Sequence, residues 1–310
     1  MAFRLPKVLE IPADPHPNRL RAYREREQEM ARSLAGVGSL DFTRVGANTA
    51  VTSARAQSPL KLLCPRGPGP SAWVFTSNHG GGLVCGDDIR LRVHAGDKTT
   101  SFLSTQASTK IYRSRSGIGA RQSISARIGA GALCVVAPDP VTCFAGARFE
   151  QTQRFHLDES ASLVLIDSLS SGRLARGERW AFSRYRSSNE IFLADRRVFR
   201  DALLLDPADG PLDHPQRLGR FDCLAMVLLV GPRILPAAEA LLSSVAGQAS
   251  GLDRATGLLI SASPLRVDGI PLGAVLRVAG GGTESVARFV RAQLAFLCTL
   301  LGEDPWKRKW

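Results

Sequence analysis

A glycine-rich run at Gly80–Asp87, Gly-Gly-Gly-Leu-Val-Cys-Gly-Asp, is the first stretch of this chain whose residues could do chemistry. Glycine-rich loops bind phosphate when backbone N–H groups and the N-terminus of a following helix point at the anion. Here the residues that follow alternate as a strand does, and no Gly-Lys-Ser/Thr occurs. The run therefore predicts a tight turn between strands, with closely approaching backbones, rather than a nucleotide site.

An aspartate at the end of an apolar run is the second such feature. Asp167 directly follows Leu163–Ile166, a run typical of a buried strand. A carboxylate beside buried strand ends is a candidate metal or proton site. Its more ordinary role is to cap a turn or to pair with an arginine. Arg173 and Glu178 follow closely, and these two are placed to pair with each other.

The other residues that could bind a metal or act as nucleophiles are scattered. No His-x-Glu, His-Glu-x-x-His, Cys-x-x-Cys or Gly-x-Ser-x-Gly grouping occurs, so the sequence predicts neither a tight metal site nor a catalytic serine. Gln106, Thr109 and Lys110 fall in a predicted strand region, where a lysine is ordinarily solvated. The cysteines are predicted to be buried, unpaired thiols; they are Cys64, Cys85, Cys134, Cys143, Cys223 and Cys298.

Strands must position these residues, because strand patterns recur along the chain from Gly36 onward. Ile89–Ala95 and Ser123–Ile128 alternate apolar and polar residues, as half-buried strands do. Turn signals separate the strands and no fixed repeat period is visible, so we expect a β-stack, sandwich or solenoid without a regular repeat. Short apolar runs are typical of fully buried strands; they are Leu133–Val136, Leu163–Ile166, Ala202–Leu205 and Leu224–Val230.

Two helices are predicted near the C-terminus. The first begins at Pro236 and ends near Ala246. The second has Thr283 as its cap and ends at Gly302. Strands first and helices last predict a mainly β, α+β fold without alternating βαβ units. The second helix presents one apolar face, formed by Val286, Phe289, Val290, Leu294, Leu297, Leu300 and Leu301.

Residues 1–35 differ from the remainder of the chain. Prolines break the early part, and Asn18 could then cap a short charged helix that reaches Arg32 with almost no apolar face. We expect a charged extension that is mobile or weakly docked, followed by a single domain at 36–310.

The net charge of +12 is unevenly distributed and favours an acidic partner. Residues 98–138 hold six basic residues and no acid, and residues 173–200 hold eight arginines against three acids. Aromatic residues make up only 6% of the chain and no nucleic-acid motif occurs, so an acidic protein is favoured over nucleic acid. No apolar stretch is long enough to cross a bilayer and no signal peptide is apparent, so we expect a cytoplasmic protein without a membrane partner.

Five segments resemble, in the same order, the UreD family of urease accessory proteins, called UreH in some bacteria. Gly81, Gly82 and Gly86 match the family's Gly-Gly-Leu/Ile-Val-x-Gly-Asp pattern, and Thr-Gln-Ala-Ser-Thr-Lys-Ile-Tyr-Arg is the most specific match. The last segment and the tail at 304–310 are similar to eukaryotic members, and the resemblance runs from about Gly36 to the C-terminus. The segments are Ser58–Arg66, Gly81–Asp87, Thr105–Arg113, Pro138–Phe149 and Asp167–Trp180.

The resemblance implies an elongated, mostly β fold with β-helix-like stacked layers and two helices near the C-terminus. It also implies a scaffold rather than an enzyme. Such a scaffold binds the accessory protein UreF, which recruits the GTPase UreG carrying nickel, and the hetero-oligomer docks on apo-urease to deliver the metal. No cofactor would be bound tightly, since nickel is in transit and GTP is on the partner.

The resemblance further implies an internal channel through which the metal passes. On that picture Asp87, Lys110, Asp167 and Glu178 are the candidate polar positions along the nickel path, because carboxylates can hand on a divalent cation loosely. Two alternatives remain at this stage. One is a basic, β-rich nucleic-acid-binding protein, for which the charge of +12 is the argument. The other is an enzyme with an unrecognised site.

Overall fold

The structure, a computed structural model, describes residues 35–67, 69–246, 251–253 and 257–307. Two β-sheets dominate this part of the chain. The strands of the first sheet are β1 (Ala35–Val45), β2 (Asn48–Ala56), β5 (Asp88–Ala95), β8 (Ala120–Ile128), β11 (Arg148–Leu157), β13 (Arg184–Leu193) and β14 (Arg196–Leu205). Those of the second sheet are β3 (Leu60–Leu63), β4 (Ala72–Asn78), β6 (Thr100–Thr105), β7 (Lys110–Ile111), β9 (Leu133–Val136), β10 (Val141–Cys143), β12 (Ser162–Ser170), β15 (Cys223–Val230), β16 (Gly251–Asp253), β17 (Leu258–Val267) and β18 (Ile270–Gly280).

The chain winds between the two sheets. From β5 to β13 it alternates between them, so that β5, β8, β11 and β13 pair in parallel in the first sheet. In the second sheet β4, β6, β9 and β12 also pair in parallel. Each parallel crossover is thus made by a strand of the opposite sheet and not by a helix. This confirms the mainly β, solenoid-like stack, and the unequal connections between strands explain why no repeat period is visible.

The central strands of the second sheet, β6, β9, β12 and β15, are buried on both faces. Along β12, Leu163 and Leu165 face the core between the sheets, whereas Val164 and Ile166 face a second core on the outer side. Burial on both faces produces continuous apolar runs in place of alternation. Three of the four predicted buried runs are confirmed in this way. The fourth is wrong: Ala202 and Leu204 are exposed, because they point to the outer face of the first sheet, which is exposed along β5 and β8 as well.

Helices cover the outer core. They are α1 (Leu235–Ala246), α2 (Thr283–Gln293) and α3 (Leu297–Leu301), with short 3-10 turns at His79–Gly81, Leu174–Arg176 and Pro207–Asp209. The predicted apolar face of the last helical region packs on this core, as expected. Two details are corrected. The backbone leaves helical geometry at Leu294, which divides the region into two helices, and Gly282 is the N-cap of α2 in place of Thr283. Gly302 ends α3 with φ at +79°, as predicted.

The cysteine prediction holds for only half of the thiols. Cys134, Cys143 and Cys223 are buried, and burial raises their pKa values. Cys85 and Cys298 are half-buried, and Cys64 is exposed because it lies just beyond the end of edge strand β3. All six are unpaired.

Two predictions concern the ends of the chain. The charged extension and its helix from Asn18 lie outside the described residues, as does the tail from Arg308. Strand β1 begins at Ala35, next to the predicted start of the domain at 36. None of the described helices has the length and apolarity that a bilayer crossing requires.

Candidate functional site

A row of polar side chains interrupts the core between the two sheets. Strand β11 points Phe149, Phe155 and Leu157 into this core. By the same alternation it also points in Gln151 and Gln153, which are only 5% and 2% exposed. An amide buried among apolar residues destabilises the fold unless it is hydrogen-bonded. These glutamines must therefore find partners inside the core.

Neighbouring strand β13 supplies the first partners. The parallel register sets Gln151 beside Ser187 and Gln153 beside Asn189. Gln153 Nε2 donates to Asn189 Oδ1 at 2.9 Å, and Gln151 Nε2 lies 3.2 Å from Ser187 Oγ. In-register pairing of parallel strands thus produces a polar patch on the inner face of the first sheet.

Asp167 of the opposite sheet completes the network. It occupies an inward position of β12, between Leu165 and Leu169. Its Oδ1 accepts a hydrogen bond from Gln151 Nε2 at 3.0 Å. Its Oδ2 accepts from Ser187 Oγ and from Asn189 Nδ2, both at 2.8 Å. The carboxylate therefore joins the two sheets through three neutral donors.

Among the described residues, the donors that contact the Asp167 carboxylate are all uncharged. Within the described ranges Asp167 forms no salt bridge. A carboxylate offers about four acceptor positions, so room remains on Oδ1 for a further donor or a cation. Burial, and then the charge of Asp167, raise the pKa of neighbouring Tyr185 well above its usual value.

Two cavities meet at Asp167. The first, of about 190 Å³, lies between the sheets and extends from the segment 106–110 to Asp167. The second, of about 480 Å³, extends from Asp167 to the ion pair of Asp201 and Arg277, and is mostly apolar. Asp167 and Ser168 line both. Asp167 is therefore the charged group at the boundary between the two cavities.

The first cavity gathers most of the predicted polar and glycine positions. At the end of the cavity lined by the segment 106–110, Lys110 is exposed and Thr109 is buried. The sequence-predicted residues among its lining are Gly81, Gly82, Gln106, Thr109, Lys110 and Asp167.

At the glycine turn beside this cavity, the backbone of Gly82 and Leu83 lies close to that of Lys110, as predicted for this turn. Leu83 N–H donates to the Lys110 carbonyl at 2.8 Å. A Cβ added at Gly82 would lie 2.5 Å from that same carbonyl oxygen. Because real Cβ atoms do not come so close, only glycine fits there without a shift. Gly81 has φ at +73°, a second reason for glycine in this turn.

Asp87 lies outside the lining of both cavities. Its Oδ2 accepts from Val84 N–H at 2.8 Å and closes the turn that contains Gly86, whose φ is +86°. Asp87 is only 4% exposed. Burial raises its pKa, and the Val84 hydrogen bond partly offsets that rise. Its visible role is to stabilise the turn that leads into β5.

Glu178 also lies outside the lining of both cavities. It pairs with Arg173 through two hydrogen bonds, as predicted, and accepts from Ala145 N–H at 3.2 Å. The Arg173 guanidinium lies 4.0 Å from the centroid of the Phe144 ring. The Arg173 hydrogen bond and the Ala145 N–H lower the pKa of Glu178. This cluster anchors the loop that follows β12.

Four residues of the network were absent from the sequence-based candidates: Gln151, Gln153, Ser187 and Asn189. The signal was present in the pattern Phe-x-Gln-x-Gln-x-Phe-x-Leu along β11, in which polar residues occupy inward positions. No three His, Cys, Asp or Glu side chains come together as a metal site in the part of the chain that the structure describes. The arrangement can therefore hold a divalent cation only loosely, through one carboxylate and neutral oxygens.

Comparison with known proteins identifies close similarity over nearly the whole chain. A family model described as UreD urease accessory protein matches residues 35–310. "Urease accessory protein UreD" of Sorangium cellulosum is 51% identical over 276 residues, which cover 89% of this chain and 85% of that protein. The protein of the same name from Anaeromyxobacter is 47% identical, covering 88% and 89%. "Urease accessory protein D" of Oryza sativa subsp. indica is 35% identical, covering 91% and 99%.

Proposed function

Because the chain belongs to the UreD family of urease accessory proteins, we propose that it bridges apo-urease to a UreF–UreG-like complex and assists GTP-dependent nickel delivery. Family membership itself implies a role in urease maturation. On this proposal the chain is a cytoplasmic scaffold and not an enzyme. GTP is bound and hydrolysed by the partner GTPase, and nickel is the cargo.

The observation that carries the proposal is the position of Asp167 between two cavities. A transit site must attract a divalent cation without holding it. One carboxylate with neutral amide and hydroxyl neighbours meets that need better than a set of thiolates or imidazoles, which bind nickel tightly. Asp167 is thus the proposed central step of the nickel path, and Lys110 lies at its exposed end.

Asp87 and Glu178 remain predicted positions of the same path, although neither lines the two cavities. Asp87 lies on the turn that precedes β5, next to the glycine turn that borders the first cavity. Glu178 is held by Arg173 and would have to exchange that partner for a metal. The structure therefore supports Asp167 more directly than it supports either of these carboxylates.

Reconstitution of urease activation tests the scaffold. Apo-urease is incubated with UreF, UreG, nickel and GTP, with or without this chain, and the complexes are examined by co-purification. We expect a complex that retains all partners and urease activity that depends on the chain. If no partner is retained and activation proceeds without it, the scaffold proposal is overturned. Salt-sensitive binding to duplex DNA would then support the nucleic-acid alternative.

A further inference from the structure

A cleft rich in arginine lies on the outer face of the first sheet, where strands β8, β11 and β13 begin. Its volume is about 320 Å³. Its walls contain four guanidinium groups but only one carboxylate, Glu150. The arginines are Arg121, Arg148, Arg184 and Arg186.

Parallel register explains why these residues meet. Arg148 is aligned with Arg184, and Glu150 is aligned with both Arg186 and Arg121. The inward residues of these strands include Phe149, so the alternate positions on either side of it point outward. In-register parallel strands therefore bring the outward side chains of three successive strands to one edge of the sheet.

The positive charge of the cleft is only partly compensated. Arg186 lies 3.3 Å from Glu150, and Arg184 lies 3.9 Å from Asp206, near the limit for an ion pair. Among the residues that the structure describes, the guanidinium groups of Arg121 and Arg148 form no hydrogen bond or ion pair. Like charges brought together without partners repel, and an anion between them would relieve that repulsion.

The loop at 117–119 forms a low wall beside the arginines. Ser114 Oγ donates to the Ile118 carbonyl at 2.7 Å, which holds the loop. A Cβ at Gly119 would lie 3.0 Å from the Arg148 carbonyl oxygen, so the loop runs close along the start of β11. No atom lies within 4 Å of where a Cβ would stand at Gly117. Of the three loop residues that line the cleft, only Ile118 carries a side chain.

We propose that this cleft binds a phosphate or diphosphate group. The planar guanidinium group presents paired N–H donors that match phosphate oxygens. Two unpaired and two partly paired arginines suit a ligand that concentrates two or more negative charges in one group. The cleft lies on the opposite face of the sheet from the Asp167 network, so the proposal is independent of the nickel path.

Titration of the full chain with inorganic phosphate, pyrophosphate and citrate, by calorimetry at about 50 mM salt, tests the proposal. Saturable binding of pyrophosphate, stronger than that of citrate, is expected. The substitutions Arg121→Gln and Arg148→Gln should each weaken it about tenfold. Glu150→Gln should tighten it about threefold, because a repulsive charge is removed.

Arg127→Gln is the matched control. Arg127 lies on the same strand and the same outward face as Arg121, also makes no hydrogen bond or ion pair among the described residues, and is absent from the lining of the cleft. Its substitution should leave pyrophosphate binding unchanged. An equal loss for Arg127→Gln and Arg121→Gln would show diffuse electrostatic attraction and overturn the site. Absence of saturable binding, or tighter binding of citrate, would also overturn it.

Discussion

Replacing the Asp167 carboxylate by an amide separates its charge from its structural role. The carboxylate accepts hydrogen bonds from Gln151 at 3.0 Å and from Ser187 and Asn189 at 2.8 Å. In Asp167→Asn, an amide with its oxygen at the Oδ2 position keeps the two shorter bonds. Rotation of the Gln151 amide by 180° would present its oxygen to the new NH₂ group and restore the third, but it would remove Gln151 Nε2 from Ser187 Oγ, 3.2 Å away in the wild type.

The expected stability changes follow from these bonds. Asp167→Asn should lower the free energy of unfolding by about 1 kcal/mol, the net value of one weakened hydrogen bond. Asp167→Ala removes the acceptor from three buried donors, each of which costs about 1–3 kcal/mol when unsatisfied. We expect a loss of about 3 kcal/mol, near the lower end of the sum, because the adjoining cavities can admit water. Chemical denaturation of the purified variants measures both values.

The expected effect on nickel transfer is larger than the effect on stability. A divalent cation about 4 Å from a carboxylate gains about 8 kcal/mol at an effective dielectric constant of about 20, before desolvation is subtracted. A net loss of only about 1.4 kcal/mol from the transfer step slows it tenfold. Asp167→Asn should therefore lower the rate of urease activation at least tenfold, whereas Asp167→Glu, which keeps the charge, should retain most of it.

The assay is the rate of urease activation in the reconstituted system, with co-purification of the partners as the test of assembly. Asp195→Asn is the control, since that carboxylate is 98% exposed and its substitution removes the same charge. If Asp167→Asn activates urease within twofold of the wild-type rate while the complex stays intact, the argument for Asp167 is refuted. If the complex itself fails to form, the comparison with Asp167→Glu shows whether charge or packing is responsible.

Three further perturbations test the local structure. Gly82→Ala should destabilise the fold by about 1–3 kcal/mol, because its Cβ would meet the Lys110 carbonyl at 2.5 Å. Gly281→Ala, with 3.7 Å of clearance, should be nearly neutral by denaturation. Burial raises the pKa of Asp87, so ionisation of this carboxyl group opposes folding. The free energy of unfolding of Asp87→Asn should therefore increase relative to that of the wild type as pH rises from about 4 to 7. Arg173 lowers the pKa of Glu178, so ionised Glu178 stabilises the fold above about pH 4 and this stabilisation is lost on acidification. The loss in free energy of unfolding caused by Glu178→Gln should therefore shrink as pH falls. For either variant, a difference from wild type in the free energy of unfolding that stays constant across this pH range would contradict the prediction.

Much of the fold was predictable because local patterns report local burial. The alternation at Ile89–Ala95 predicted β5, and the apolar face after Thr283 predicted the helical cover of the outer core. The prediction of burial failed where contacts with residues distant in sequence determine which faces of a strand are covered. Ala202–Leu205 has the composition of a buried strand, but Ala202 and Leu204 point to the exposed outer face of the first sheet, whereas Leu203 and Leu205 face the core. An apolar run cannot indicate whether other elements will cover both of its faces.

The sequence by itself determined the family, the strand-rich class, the glycine turn and the pairing of Arg173 with Glu178, since each depends on residues close together in the chain or on a specific motif. Only the tertiary structure decided which polar residues meet. Gln151 reaches Asp167 because strands of opposite sheets face each other across the core. The arginine cleft arises because parallel strands start in register. Both depend on the winding of the chain between two sheets, which brings together residues far apart in sequence by pairings that no local pattern encodes.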